Sequence, residues 1–370
     1  MTGEKHTVLQ ASKFYYPQVG GIEKVVRQLA EGHASSGYSH RVLAAGTNLL
    51  GQSERVNEIP VHRVGSFGSL QSVPLTPLFP AYLRRAARQA DIVHYHVPNP
   101  VAVLSHISAG INVPTVVTYH SDIIRQKTAL KLYEPVLRRF LENVDQVVTT
   151  SPRLLKHSPF LNDYREKCQV IPLAIDVTGI ETSKRNNKST GNPFVLFVGR
   201  LSYYKGVQYL VDAAVDVDAD IGIVGDGDLR AELEARARDR GVTDRLTFFG
   251  RVSDEQLAAL YRQADVFVLP SVEPSEAFGI VQLEAMARGV PVINTNLSTG
   301  VPWVSQDGET GLTVPPRDSD ALADAVKRLL ADDDLRHCLG QNARKRVESK
   351  FTEARMLEQY RRLYQSLHTN

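Results

Sequence analysis

The chain has 370 residues, 42% of them hydrophobic and 23% charged, with a formal net charge of +2. That length is comfortable for two domains and long for one core, and the composition and mean hydropathy of −0.21 exclude a disordered or low-complexity chain. No apolar run approaches the roughly 18 residues that a membrane-spanning helix needs.

The N-terminus, "MTGEKHTVLQASKFYYP", lacks an apolar region followed by a small-residue cleavage site, which predicts a cytoplasmic protein without a secretory leader. Cys168 and Cys338, the two cysteines, show no metal-ligand or disulfide spacing and read as two buried thiols. The charge divides unevenly. Residues 1–190 hold 22 Lys and Arg against 14 Asp and Glu, a net +8, and residues 191–370 hold 21 against 27, a net −6.

In chain order, compact apolar runs predict strands at 7–12, 41–46, 60–64, 91–96, 115–120, 145–150 and 168–172. After a polar stretch at 182–193 they resume at 194–199, 220–225, 246–250, 265–270, 290–295 and 311–314. The runs do not alternate, as expected of strands covered on both faces by helices. A βαβα rhythm, twice over, predicts an α/β protein with two doubly wound parallel sheets. The boundaries read as an N-terminal domain at 1–180 and a C-terminal domain at 190–350. A final helix within 351–370 would cross back to the first domain. Ligands of such sheets bind beyond the carboxyl ends of the strands, so residues just after strands carry the information.

Gly20-Gly21, after the first strand, opens a helix with apolar residues at Ile22, Val25, Val26 and Leu29; it fits an anion-binding helix start and a plain tight turn equally. In "FVGRLSYYKG", Arg200 directly follows an apolar strand, Lys205 comes five residues later, and Gly206 starts another helix. A forked guanidinium and a point-charge ammonium suit a diphosphate. "TYHSD" places His120 at a strand end, while His94-x-His96 lacks the acidic or thiol partners of a metal site. "IVGDGDLRAELE" has Arg230 where a dinucleotide fingerprint has its third glycine, and reads as a tight strand-to-helix turn. Ser253 with Gln256 reads as a capping box.

"EPSEAFGIVQLEAMARGVPVI" is the most informative stretch. Glu276 is expected near the start of a buried helix whose first turn is Phe278 to Val281, with Glu284 about two turns further down. Carboxylates there suit sugar and ribose hydroxyls, while the amides of the first turn suit phosphate.

Taken together, "YYPQVGGIEK", "TYHSD", "FVGRLSYYKG", "VGDGDLRAELE" and the Glu-x7-Glu of "EAFGIVQLE" resemble the large retaining glycosyltransferase family of the glycogen synthase and sucrose synthase type, family four in the usual classification, over essentially the whole chain. The resemblance implies the GT-B fold, two Rossmann-like domains facing across a deep cleft. It implies that Gly20 and Gly21 contact donor phosphates and acceptor, and that Arg200 and Lys205 neutralise the diphosphate. Glu276 would contact the transferred sugar and Glu284 the ribose. Gly279, Ile280 and Val281 would offer backbone contacts near sugar and diphosphate, Val252 would read the base with its main chain, and His120 would stand beside the reacting centre. It also implies a metal-independent enzyme without a cofactor, whose substrate is a GDP- or UDP-linked sugar.

By eye the C-terminal half looks like bacterial mannosyl- and rhamnosyltransferases of surface polysaccharide synthesis, which implies a mannose-like hexose and a saccharide or lipid-linked acceptor. Two other classes bind similar ligands: a sugar-nucleotide 2-epimerase of the same fold, and a non-catalytic nucleotide-sugar-binding protein. Nucleic-acid binding has no aromatic-plus-basic motif in its favour.

Basic residues at Arg84, Arg85 and Arg88, and at Arg125, Lys127, Lys131, Arg138 and Arg139, predict a peripheral contact with an anionic inner membrane face, with accompanying residues such as Leu132 mostly turned to the core. Arg200→Ala and Lys205→Ala are both expected to abolish transfer without unfolding the protein.

Overall fold

The computed structural model describes residues 5–18, 20–32, 37–70, 73–123, 127–181 and 191–368, with backbone only at 127–130. It divides into two compact units, residues 1–173 with 353–370, and residues 174–352. The polar stretch expected at 182–193 lies mostly outside the described residues, as does Arg125.

The first unit holds β1 (His6–Ala11), β2 (Tyr38–Ala45), β3 (Gln52–Val56), β4 (Ile59–Val64), β5 (Ser69–Leu70), β6 (Val73–Pro74), β7 (Ile92–Val97), β8 (Thr115–Tyr119), β9 (Gln146–Thr149) and β10 (Cys168–Val170). Among the described residues, eight of these form one sheet in the order β10-β9-β8-β7-β1-β2-β4-β3. Every pairing in it is parallel except β3 with β4 at the edge. Neither β3 nor the short β5–β6 ladder was legible as a strand, because "QSERV" is exposed or half-exposed and carries no apolar run. The chain leaves β1 toward β2 and β7 toward β8, on opposite sides, so the switch point lies between β1 and β7.

Helices cover the sheet where the apolar spacing demands it. Val25, Val26, Leu29 and Ala30 of Gly21–Gly32 are buried. Phe79–Ala87 buries Phe79, Leu83 and Ala87. The C-terminal helix Glu353–His368 buries Met356, Tyr360, Leu363 and Tyr364 in this unit; its Leu357 leaves no room for a Cβ at Gly32.

The second unit holds β11 (Phe194–Val198), β12 (Asp220–Val224), β13 (Leu246–Gly250), β14 (Val266–Leu269), β15 (Val292–Thr295) and β16 (Gly311–Val314). They form an all-parallel sheet in the order β13-β12-β11-β14-β15-β16, with its switch point between β11 and β14. The expected capping box is present: Ser253 Oγ accepts from Gln256 N at 3.3 Å and Gln256 Oε1 from Ser253 N at 3.0 Å.

The cysteines depart from expectation. Cys168 is half-buried, its thiol held up at about 11 by burial, and Cys338 is exposed on the helix Asp333–Lys350. The register of Cys338 on its helix faces outward, while Cys168 on the edge strand β10 packs against the core of the first unit.

Candidate functional site

In the second unit the switch point brings two loops together. β11 delivers Gly199 and Arg200, then a single 3-10 turn, Tyr203–Lys205, and the helix Val207–Ala213. β14 delivers Pro270, Ser271 and the segment to Glu276, then the helix Ile280–Met286. Gly206 makes the meeting possible. Its φ of 65° is open to glycine, and a Cβ there would lie 2.1 Å from Pro270 O. The two loops are then joined by Val272 N donating to Tyr204 O at 2.8 Å.

That junction places Lys205 Nζ 2.5 Å from Glu276 Oε2, with side chains only 9% and 10% exposed. Ser271 Oγ donates to the same oxygen at 3.0 Å. Burial alone would lower the pKa of Lys205, but the Glu276 carboxylate outweighs it and holds the pKa above the ordinary lysine value, so the ammonium is charged. Thr299 Oγ1 donates to Glu276 O at 2.7 Å and Gly300 N to Ala277 O at 2.8 Å, which anchors the loop to the turn after β15. Arg200 is exposed and has no carboxylate partner among the described residues. Ser271 and Thr299 were not singled out by sequence. The available signal was their place, polar residues just past β14 and β15.

Glu276 precedes the helix, as expected, but the helix begins later than Phe278. Gly279, at φ 73°, is the N-cap, Ile280 begins the helix, and Glu284 stands about one turn in rather than two. The reason is steric. The left-handed φ at Gly279 lies outside helical geometry, and a Cβ there would lie 2.6 Å from Leu269 Cδ2, so the turn takes only glycine. Gln282 Nε2 donates to Phe278 O at 3.0 Å and steadies the turn. Glu284 is half-buried and accepts from the buried Tyr261 hydroxyl at 3.0 Å. Burial, then the Glu284 charge, holds that phenol well above its ordinary pKa. Val252 is half-buried, two residues past the end of β13.

In the first unit, Gly20 and Gly21 stand at the start of the helix Gly21–Gly32, as their spacing suggested. Glu23 folds back beside Gly20, where a Cβ would lie 2.2 Å from Glu23 Oε2, while Gly21 is exposed. A first-turn acid is favourable beside a helix N-terminus. Burial raises the pKa of Glu23, against the pull of Lys13. His120 follows β8 and is buried, its pKa lowered by burial to about 3. His94 and His96 lie inside β7 and are both buried. His96 Nδ1 is 3.1 Å from His120 Nε2. Arg230 is structural: its Nε donates to Glu234 and its Nη2 to Phe248 O.

Comparison with known proteins places the chain in a family. Residues 180–346 match the family described as glycosyl transferases group 1, and residues 19–178 match glycosyltransferase family 4. The chain is 36% identical over 370 residues to the O-antigen chain mannosyltransferase C of Escherichia coli, covering 97% of this chain and 98% of that one. It is 39% identical over 351 residues to the D-rhamnosyltransferase WbpZ of Pseudomonas aeruginosa, covering 93% and 92%. Among solved structures it is similar to sucrose-phosphate synthase from Thermosynechococcus elongatus, with a TM-score of 0.82 at 27% identity over 98% and 99% of the two chains. Anabaena Alr3699/HepE in complex with UDP, with a TM-score of 0.79 at 22% identity over 97% and 100%, shares the fold. With the GT-B fold and both family matches along its length, the chain belongs to the group 1 and family 4 glycosyltransferases and is a glycosyltransferase.

Proposed function

We propose that this glycosyltransferase is a retaining, metal-independent enzyme that moves mannose or a related hexose from a GDP- or UDP-linked donor to a saccharide or lipid-linked acceptor in surface-glycan synthesis. The observation that carries the donor site is the buried Lys205–Glu276 pair at the switch point, beside the exposed Arg200. Lys205 and Arg200 meet the diphosphate and stabilise it as it leaves, together with the amides of Ile280 and Val281. Lys205 and Ser271 both meet Glu276 at Oε2, which leaves Oε1 to accept from a sugar hydroxyl. Glu284 takes the ribose hydroxyls, Val252 reads the base, Gly20 and Gly21 approach the phosphates once Glu23 turns away, and His120 faces the reacting centre. The mannosyl and rhamnosyl activities in the names of the two relatives support the choice of sugar and pathway.

Thermal-shift screening of GDP-mannose, GDP-rhamnose and UDP-sugars, followed by mass spectrometry of products with lipid-linked saccharides, tests this. One GDP-sugar should raise the melting temperature and yield a product with the donor's anomeric configuration, and turnover should survive EDTA. An inverted product, or activity lost to EDTA and restored by magnesium or manganese, would contradict the mechanism.

Membrane contact belongs to the same proposal. No helix among the described residues is long and apolar enough to cross a membrane. Arg84, Arg85 and Arg88 are exposed and without an ion pair among the described residues. Arg138, by contrast, is held by Glu134 at 2.9 Å and Asp163 at 3.0 Å, and Arg139 lies 3.8 Å from Glu142. The basic surface is therefore narrower than the composition suggested. Leu132 is 81% exposed rather than turned to the core, and Leu49, Leu50 and Phe67 are exposed around one open depression. Leu75 and Leu78, also exposed, lead into the arginine helix.

Three arginines contribute about 1 kcal/mol each at an anionic surface. The protein should sediment with phosphatidylglycerol vesicles at low salt and be released at high salt. Reversing the charge at all three positions should abolish sedimentation; unchanged binding in that variant would sink the idea.

A further inference from the structure

Gln10 lies on β1 with its side chain fully buried, a position no catalytic reading of the sequence singled out. Its carboxamide is the hub of a buried polar cluster. Oε1 is 2.8 Å from His96 Nε2, and Nε2 is 3.1 Å from His40 Nδ1 and 3.5 Å from the Tyr364 hydroxyl. Tyr364, on the C-terminal helix, is 2.8 Å from His94 Nδ1. His94 Nε2 is in turn 2.7 Å from Thr118 Oγ1, which is 2.8 Å from the Tyr360 hydroxyl.

The proton positions on one branch follow from donor and acceptor counting. A carboxamide oxygen only accepts, so His96 Nε2 carries the hydrogen. A neutral imidazole has one N–H, and His96 is kept neutral by burial first and by its histidine neighbours second. His96 Nδ1 is then bare and must accept, and the atom it faces at 3.1 Å is His120 Nε2. His120 therefore donates from Nε2. Since burial keeps it neutral as well, its Nδ1 has no proton.

We propose that Gln10 is a positioning residue that acts through His96 to hold His120 in the Nε2–H tautomer, presenting His120 Nδ1 as a hydrogen-bond acceptor. The functional consequence rests on the reading of His120 as a group at the reacting centre. A lone pair at that atom accepts from a hydroxyl of the transferred sugar or of the acceptor. It cannot donate to the leaving diphosphate, so the charge on that group falls to Arg200, Lys205 and the backbone. His40 Nδ1 and the Tyr364 hydroxyl give the NH2 end of the Gln10 amide two acceptors, which fixes its orientation, while the Tyr360 hydroxyl ties Thr118 of the same cluster to the C-terminal helix.

The tautomer is directly measurable. Long-range proton–nitrogen correlation spectra of 15N-histidine protein, with His120 assigned from His120→Gln, should show the Nε2–H pattern for His120 in the unmodified enzyme. An Nδ1–H pattern or an imidazolium there at neutral pH overturns the proposal, whether or not any variant folds. Gln10→Met keeps the side-chain length and removes the acceptor. In that variant the His120 signals should move toward a mixture of tautomers, with kcat reduced at least about tenfold and the donor KM little changed. Unchanged His120 signals in Gln10→Met remove Gln10 from the relay. A changed tautomer with unchanged kcat supports the relay and instead removes His120 from the reacting centre, so the two readings fail separately.

Discussion

Lys205→Ala is expected to destabilise the unit formed by residues 174–352 by about 3–5 kcal/mol, because it strands the Glu276 carboxylate in a buried site. Arg200→Ala, at an exposed position, is expected to change stability by no more than about 0.5 kcal/mol. Both should lose transferase turnover, Arg200→Ala by at least about tenfold, since a charge-assisted hydrogen bond contributes roughly 1.5–3 kcal/mol. This revises the expectation that the two variants would be inactive and folded alike. The readout is built into the chain. Trp303, the one tryptophan, lies in this unit, 5.4 Å from the Phe351 ring and 6.4 Å from the Phe278 ring, so its fluorescence follows thermal unfolding there. Adding Glu276→Ala to Lys205→Ala should recover part of the lost stability, because no uncompensated charge then remains buried. A Lys205→Ala protein that melts like the wild type would show that the pair contributes nothing to folding. Near-normal turnover in Arg200→Ala would remove the donor-site assignment.

The second large effect is on acid stability, and it should be confined to one unit. Ten of the eleven histidines belong to residues 1–173 and 353–370, and the second unit has only His337. His96, His106 and His120 are all pushed below the ordinary 6.5 by burial, His120 to about 3, with Asp145 opposing the shift at His106. A histidine that is neutral when folded and charged when unfolded makes the unfolded chain bind more protons as the pH falls. Its contribution is fully present above about pH 6.5 and declines toward the folded pKa, by up to about 1.4 kcal/mol per pH unit for each group. His96 and His120, the two pushed furthest down, give up to about 2.8 kcal/mol per pH unit and His106 adds to this just below pH 6.5, enough to exhaust a domain stability at the low end of roughly 5–15 kcal/mol within two to three pH units. On acidification, far-UV circular dichroism should therefore report a first transition between pH 6 and 4 (about, from the same slopes) while Trp303 fluorescence is unchanged. One coincident transition in both signals at about pH 3 would mean that these histidines do not set the acid limit.

Much of this enzyme is legible in order and spacing. Apolar runs without alternation mark strands covered on both faces, and the glycines and cations that follow them mark strand mouths. Arg200, Lys205, Gly279 and Glu284 could be named as candidates from position alone. The resemblance to glycosyltransferases rests on the same local signals, and both family matches agree with it. Those signals work because a strand end, a helix start and a turn are each decided within a few residues by sterics and backbone hydrogen bonding.

What the sequence did not determine depends on which strands become neighbours. Lys205 and Glu276 are 71 residues apart, and only the β11–β14 adjacency turns two separate donor-site candidates into one buried ion pair. The start of the helix at Ile280 follows from the left-handed turn at Gly279, which packs too closely on Leu269 of β14 for any side chain. The buried Gln10, which follows the apolar pair Val8-Leu9 in β1, has meaning only once β1 lies beside β7 and the C-terminal helix returns Tyr364 to the same cluster. Buried charges and carboxamides draw their effect from partners distant in the chain, because a low-dielectric interior leaves them no water to bind. Local spacing carries no record of those partners; the strand order alone decides them.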